Sequence, residues 1–374
     1  MLRKIKQQLI NLPGWRTSRK IIVLESDDWG AIRSKSLAAI DALRKKGVAV
    51  DKCHYMLNDA LASTQDLTLL FDLLLHYKDK NGRPPVITAN SLVANPDFEK
   101  IREGGFQEYF FEPVQATLQS YPEHSQAFDL WKKGMADKIF HPQSHGREHL
   151  NISRWMRDLR NGEAEAHLAF DLGMFGISAH ISKMKRGSYL AAFDGSQDEI
   201  IINRGEVVKE GLTMFRDFFG YPSRSFIAPN YLWDDEIEIS AASQGVQYFQ
   251  GAMTQRLPSS HEEKVKVKRH YQGQKNSQGS RYLVRNVKFE PSSNPARDWV
   301  DIAMAGIASA FKWHKPAIVE THRVNFIGFI NPTNRETNLR LFDSLLIRIL
   351  STWPDVEFMT SDQLGDLMNG NKER

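Results

Sequence analysis

Cysteine is almost missing from this chain: Cys53 is the only one in 374 residues. That excludes an intramolecular disulfide and any Cys-rich zinc site. No apolar run approaches the roughly 18 residues of a membrane span, so a transmembrane helix is not expected. The opening stretch, residues 1–15, has no continuous apolar segment and no small-residue cleavage site. The expectation is a chain without a signal peptide, of bacterial type and cytoplasmic. Met1, Leu2, Ile5, Leu9 and Ile10 alternate with Lys4 and Lys6 in the manner of a short basic amphipathic helix. It is read as packed on the domain, the alternative being weak peripheral contact with an anionic membrane. A dense basic stripe is also lacking: 49 Lys+Arg stand against 45 Asp+Glu, a net charge of +4. With no supporting motif, a nucleic-acid partner is not expected.

What is present is ordinary for a folded protein with a real core, 41% hydrophobic and 25% charged. Apolar runs at Lys20–Glu25, Pro84–Asn90, Lys138–Gln143, Ser225–Pro229, Val246–Gln250, Tyr282–Phe289, Ala317–Thr321 and Val356–Met359 read as strands. Between them, helical spacing marks Ser36–Lys46, Thr64–Tyr77, Ser153–Phe170, Glu206–Phe219, Asp234–Ser243, Trp299–Trp313 and Arg335–Ser351. About seven strand–helix repeats fit an α/β barrel better than an open sheet. No Pro- or Gly-rich linker and no internal repeat divides the chain. The organisation expected is a basic segment 1–19, one domain over 20–368 and a tail 369–374. The polar stretch 254–281, with six Lys/Arg before Arg281, reads as a surface loop inserted in that domain.

In such barrels the strand C-termini carry the site, and four of them end in polar residues. Glu25-Ser-Asp-Asp-Trp-Gly30 places two adjacent carboxylates after the first strand; a bound cation is one reason to keep both, a helix cap the other. His141-Pro-Gln-Ser-His145-Gly-Arg-Glu-His149 holds three of the twelve histidines in nine residues. Imidazoles four apart on a helical turn can chelate one ion. Pro142 keeps the chain extended after His141, so His145 and His149 are the expected pair, with His141 in reserve. Ser225-Phe-Ile-Ala-Pro229-Asn230-Tyr231-Leu-Trp233 ends in aromatics beside an amide, as sugar-binding surfaces and plain cores both do. Ala317-Ile-Val-Glu-Thr-His322-Arg323 presents a histidine fit for acid or base work.

In this order the segments resemble the NodB-like polysaccharide deacetylases, carbohydrate esterase family 4. Closer still is a variant group named polysaccharide (de)acetylase, with Ser-Asp-Asp-Trp-Gly and His-Gly-Arg-Glu-His centres. The resemblance spans about residues 20 to 368 and implies a distorted (β/α)7-type barrel with loop and helical insertions. It assigns Asp27 as catalytic base, Asp28, His145 and His149 as metal ligands, and His322 as general acid. Ala228-Pro229-Asn230-Tyr231 is similar to the family's third motif, with Asn230 interrupting its Pro-Tyr pair, and Asp298-Trp299 resembles its fourth. One departure stands out: Ile227 occupies the place of the arginine that partners the catalytic aspartate. Arg147, Arg224 and Arg323 are the candidates to replace it.

The function so implied is a metal-dependent hydrolase removing an acetyl or other acyl group from a sugar or polysaccharide. The ligand set suits Zn2+, with Ni2+, Co2+ and Fe2+ also compatible. Trp29, Tyr231 and Trp233 are the expected ring-stacking platforms, and backbone N–H groups near Tyr231 the expected oxyanion donors. The rival readings are a glycan-binding protein that has lost the chemistry and a metallo-amidase for a non-sugar substrate.

Overall fold

The computed structural model describes residues 8–196, 199–259 and 265–370. Most of the N-terminal amphipathic segment, Lys264 and the end of the tail lie outside them. Nine strands form one parallel sheet: β1 (Lys20–Trp29), β2 (Ile87–Ser91), β3 (Phe140–Ser144), β4 (Ser225–Phe226), β5 (Tyr248–Gly251), β6 (Arg281–Val284), β7 (Val287–Lys288), β8 (Ala317–His322) and β9 (Val356–Met359). The order β6-β5-β4-β3-β2-β1-β8-β7 ends on two strands that follow each other in the chain. Between them, Arg285 N–H bonds Gly251 O at 2.9 Å and Asn286 N–H bonds Ile318 O at 3.2 Å. One segment therefore pairs with β5 on one edge and β8 on the other, and the sheet closes around seven strand positions. The expected (β/α)7-type barrel is what the chain builds.

The distortion comes from β9, which pairs with β1 at Lys20–Val23, while β2 pairs with β1 only from Leu24 upward. Because β8 takes the other edge at Ile22–Asp27, β9 occupies the lower part of the edge that β2 uses above. The helix after it, Ser361–Met368, packs against β1, β5 and β6. Its Gly365 lies so close to Tyr248 that a Cβ would come within 2.4 Å of the ring.

Strand β1 is buried along almost its whole length, as a parallel strand covered on both faces must be. Outside the sheet, helices pack Leu67, Leu70, Phe71, Leu74, Trp131, Phe215, Ile307, Phe342 and Leu345 against it in the largest core cluster.

Two stretches differ from the sequence reading. Ser153–Phe170 is two helices, Ile152–Arg160 and Ala164–Asp171, because Gly162 turns the chain at φ 74°. Residues 254–281 are not all loop: Thr254–Arg256 and Val267–Arg269 pair as an antiparallel ribbon. Its sequence lacked the apolar alternation that signals a strand because nearly all of the second strand is exposed. Among the described residues no helix is long and apolar enough to cross a membrane.

Candidate metal and acid–base site

The floor of the site is made where β1 and β3 end. The register of β1 against β2 shifts between Ser26 and Trp29, and Asp28 has φ 74°. In a regular strand, consecutive side chains point to opposite faces; this break lets Asp27 and Asp28 both line the same cavity. A positive φ on a non-glycine residue is costly and concentrates at functional sites.

After β3, His145 N–H bonds Ser91 O at 2.9 Å, and Gly146 at φ 104° bends the chain. That bend, not a helical turn, brings His149 back over His145, since the next helix starts only at Ile152. Their rings stand 5.0 Å apart at 78°. His145 Nε2 is 3.3 Å and His149 Nε2 3.4 Å from Asp28 Oδ1. Ligand atoms around a tetrahedral ion with bonds of about 2.0–2.1 Å stand roughly 3.3–3.4 Å apart, so the set fits one.

The donor chemistry fits as well. His145 Nδ1 donates to Ile227 O at 2.9 Å, which leaves its Nε2 lone pair facing the others. Asp28 Oδ1 and His145 Nε2 are buried without a hydrogen-bond partner. Burial holds the His149 imidazole at about 3, far below its usual range and against the pull of Asp28. Burial would raise Asp28, but the Arg33 guanidinium, His145 and His149 keep its carboxyl well below the usual carboxylate range. Arg33 reaches the far oxygen, Oδ2, at 3.3 Å. Buried polar atoms are nearly always paired, and an unpaired carboxylate oxygen facing two imidazole nitrogens is a set that could hold a cation. Asp28, His145 and His149 are the group with metal-ligand geometry among the described residues.

Beside them stand Asp27 and His322, brought together by register as direct partners across β1 and β8. His322 Nε2 lies 3.7 Å from Asp27 Oδ2. Asp27 is gripped by Arg285, whose Nη1 and Nη2 each sit 2.6 Å from one of its oxygens. Asn90 Nδ2 adds a bond to Oδ1 at 2.7 Å. Burial raises the Asp27 carboxyl, but the Arg285 charge and hydrogen bonds outweigh it and leave it far below its usual value. His322 Nδ1 donates to Glu290 Oε1 at 2.5 Å. Burial alone would lower His322; Glu290, helped by Asp27, overrides it and lifts the imidazole to about 10. The pair is thus a fixed carboxylate facing a fixed imidazolium whose free N–H, on Nε2, points toward the floor.

Arg285 also answers the missing arginine at Ile227. None of the three sequence candidates does so. Arg147 is bound to Glu148 and Glu210, Arg224 to Asp366, and Arg323 to Asp59 at 2.9 Å. Arg285 was hidden inside a strand read as continuous over Tyr282–Phe289. Glu290 follows that strand directly, and the strand-end rule points to it. Asn90, the polar end of the strand read over Pro84–Asn90, falls under the same rule, whereas Arg33 carries no sequence signal of its own.

Of the remaining residues, Asn230 and Tyr231 line the cavity on a turn held at φ 59° and 54°, with Pro229 buried behind it. Tyr231 N–H is taken by Ala228 O at 3.1 Å, so that group is not available as an oxyanion donor. Tyr231 Oη bonds Glu320 and accepts from Arg285 Nη1 at 3.0 Å. Trp29 is in the core, edge-on to Phe140 at 5.0 Å. Trp233 donates to Glu238 at 2.9 Å from full burial. Asp298 caps the helix Trp299–Lys312, and Trp299 packs in the core. None of these four reaches the cavity, because their motifs mark strand ends without saying which face a side chain takes. His141 faces away too, 3.2 Å from Asp362 Oδ1 and stacked on Tyr221, since it sits early in β3 and not at its end.

The cavity above this floor has a volume of about 600 Å³. No protein-family model and no curated protein matches the sequence. Solved structures with a similar chain path do exist. The 4-alpha-glucanotransferase from Thermococcus litoralis is 8% identical at a TM-score of 0.45, over 92% of this chain but only 40% of its own. A probable polysaccharide deacetylase from Pseudomonas aeruginosa PAO1 is 9% identical at 0.43, covering 93% of this chain and 90% of that one. The peptidoglycan deacetylase PdaC from Bacillus subtilis is 8% identical at 0.34, covering 94% and 93%. Several polysaccharide deacetylases are among the solved structures this chain resembles.

Proposed function

We propose that the chain is a metal-dependent hydrolase that removes an acetyl or other acyl group from an N- or O-acylated sugar. The observation that carries this is the convergence of Asp28 Oδ1, His145 Nε2 and His149 Nε2 beside Asp27, gripped by Arg285, and His322, bonded to Glu290. A divalent ion held by Asp28, His145 and His149, Zn2+ before Ni2+, Co2+ or Fe2+, would polarise the acyl carbonyl and acidify a water. Asp27 would take a proton from the attacking water at Oδ2, the oxygen nearer His322 and held by Arg285, as the water oxygen bonds to the acyl carbon and the bond from that carbon to the sugar's nitrogen or oxygen breaks. His322 passes its Nε2 proton to the departing nitrogen or oxygen of the sugar, and Glu290 keeps it charged until then. Arg285 prevents Asp27 from turning, and Arg33 holds the second oxygen of Asp28 away from the lone-pair cluster. The sugar assignment rests on the motif resemblance together with a cavity of small-molecule size.

Acetate release from N-acetylated oligosaccharides, followed with zinc or cobalt added, tests this reading. Asp27→Asn is expected to lower kcat by about 10²–10⁴-fold while the protein keeps its metal. Acetate release that is unchanged in Asp27→Asn would remove the base from the scheme.

A further inference from the structure

The floor and the mouth of the cavity differ in a way that bears on the substrate. Asp27, Asp28, His145 and His149 are nearly fully buried and form the floor. Among the lining residues only three are exposed, and all are basic in type: Lys52, His180 and Arg256. The only carboxylates in the lining are Asp27 and Asp28, both already committed to Arg285 and Arg33. Lys52 and Arg256 make no ion pair or side-chain hydrogen bond with the described residues. Some exposed cations elsewhere pair with an acid, as Arg44 does with Asp51, Lys100 with Asp97 and Arg348 with Asp301, while Lys45 and Lys46 make no ion pair with the described residues; what marks the mouth is that its exposed lining is basic and holds no carboxylate. Asp51, next to Lys52 in the chain, is turned to Arg44. The segments flanking the mouth add charge of the same sign, with exposed Lys183 and Lys185 after His180, and exposed Arg269 paired in register with Thr254 two residues from Arg256.

We infer that the substrate carries a phosphate group, as a mono- or diester, at the end that lies at the mouth when its acyl group is on the floor. This deepens the hydrolase reading and rests on it. Exposed cations at the mouth of a cavity whose exposed lining offers no competing carboxylate concentrate an anion and bind it by charge-assisted hydrogen bonds.

The test is calorimetric titration of the full-length protein with N-acetylglucosamine, its 1-phosphate and its uridine-diphosphate form. The phosphate-bearing ligands are expected to bind about tenfold or more tightly than the free sugar at low salt. Rising ionic strength should shrink the ratio, and the double variant Lys52→Ala, Arg256→Ala, checked for folding by its melting temperature, should bring it near one. Tighter binding of the uridine-diphosphate form assigns a diphosphate, and of the 1-phosphate a monoester. Equal affinities, a ratio that survives the double variant, or binding of no phosphate-bearing ligand would overturn the inference. Failure of the hydrolase reading would look different: no metal and no acetate release, with the phosphate preference intact.

Discussion

Arg285→Met is expected to destabilise the fold by about 3–5 kcal/mol and to abolish turnover. The Arg285 side chain is 1% exposed and bridges Glu25 and Asp27, which are as deeply buried. Removing it leaves the two carboxylates side by side with only His322, 3.7 Å from Asp27, as a nearby cation, and buried carboxylates so placed take up protons more readily. Asp27 then ceases to be a base near neutral pH. In the wild type the Asp27 carboxyl is depressed from its usual 3.8, so its stabilisation is complete above that value and is lost as pH falls toward the folded-state value. Burial already raises Glu25 against the pull of Arg285; in the variant Asp27 is raised as well, its sign reverses, and stability falls as pH rises above the unfolded range. Urea unfolding at pH 5 and pH 8 should therefore show a loss in Arg285→Met that is larger at pH 8. Adding Glu25→Gln should recover part of the stability but none of the activity. An equal loss at both pH values with activity retained would mean that Arg285 only fills space.

Glu290→Gln should change the pH profile more than the fold. The His322 imidazole is raised from 6.5 to about 10, with Glu290 the main cause opposing burial. Its stabilising contribution is fully present below 6.5 and is lost as pH rises through about 10. Its role as proton donor disappears over the same limb. Without the Glu290 charge, burial dominates, and the alkaline limb of kcat is expected to move toward neutrality by about one to three pH units. A cation on the floor repels the imidazolium in both forms, so the difference between wild type and variant is the quantity to read. His322→Asn should lower kcat at every pH without moving the limb that remains. An unmoved alkaline limb in Glu290→Gln would separate His322 from that limb.

The parts of the site legible in the sequence were those close along the chain or at strand ends. Asp27 with Asp28, and His145 with His149, are local groups, and the structure brings them together with His322 through the pairing of β1 and β8. The geometry behind them was not legible: His145 and His149 meet through a bend at Gly146, and Asp28 reaches the floor through a positive φ. Arg285 could not be placed by reading locally, since it meets Glu25 across 260 positions once the barrel closes. Trp29 and Trp233 illustrate the converse. Their neighbours in sequence mark a site, but each ring is large and apolar enough that core packing claims it. The ribbon within 254–281 was missed because exposed strands lose the alternation on which strand reading depends.

The most direct test of the central claim is the metal content of protein purified without chelator, measured by mass spectrometry for the wild type, Asp28→Ala and His145→Ala. The account predicts about one divalent ion per wild-type chain and a near-complete loss in both variants, each still folded by circular dichroism. A wild-type protein that stays metal-free after reconstitution with zinc, cobalt and nickel, or variants that keep the ion, would contradict it.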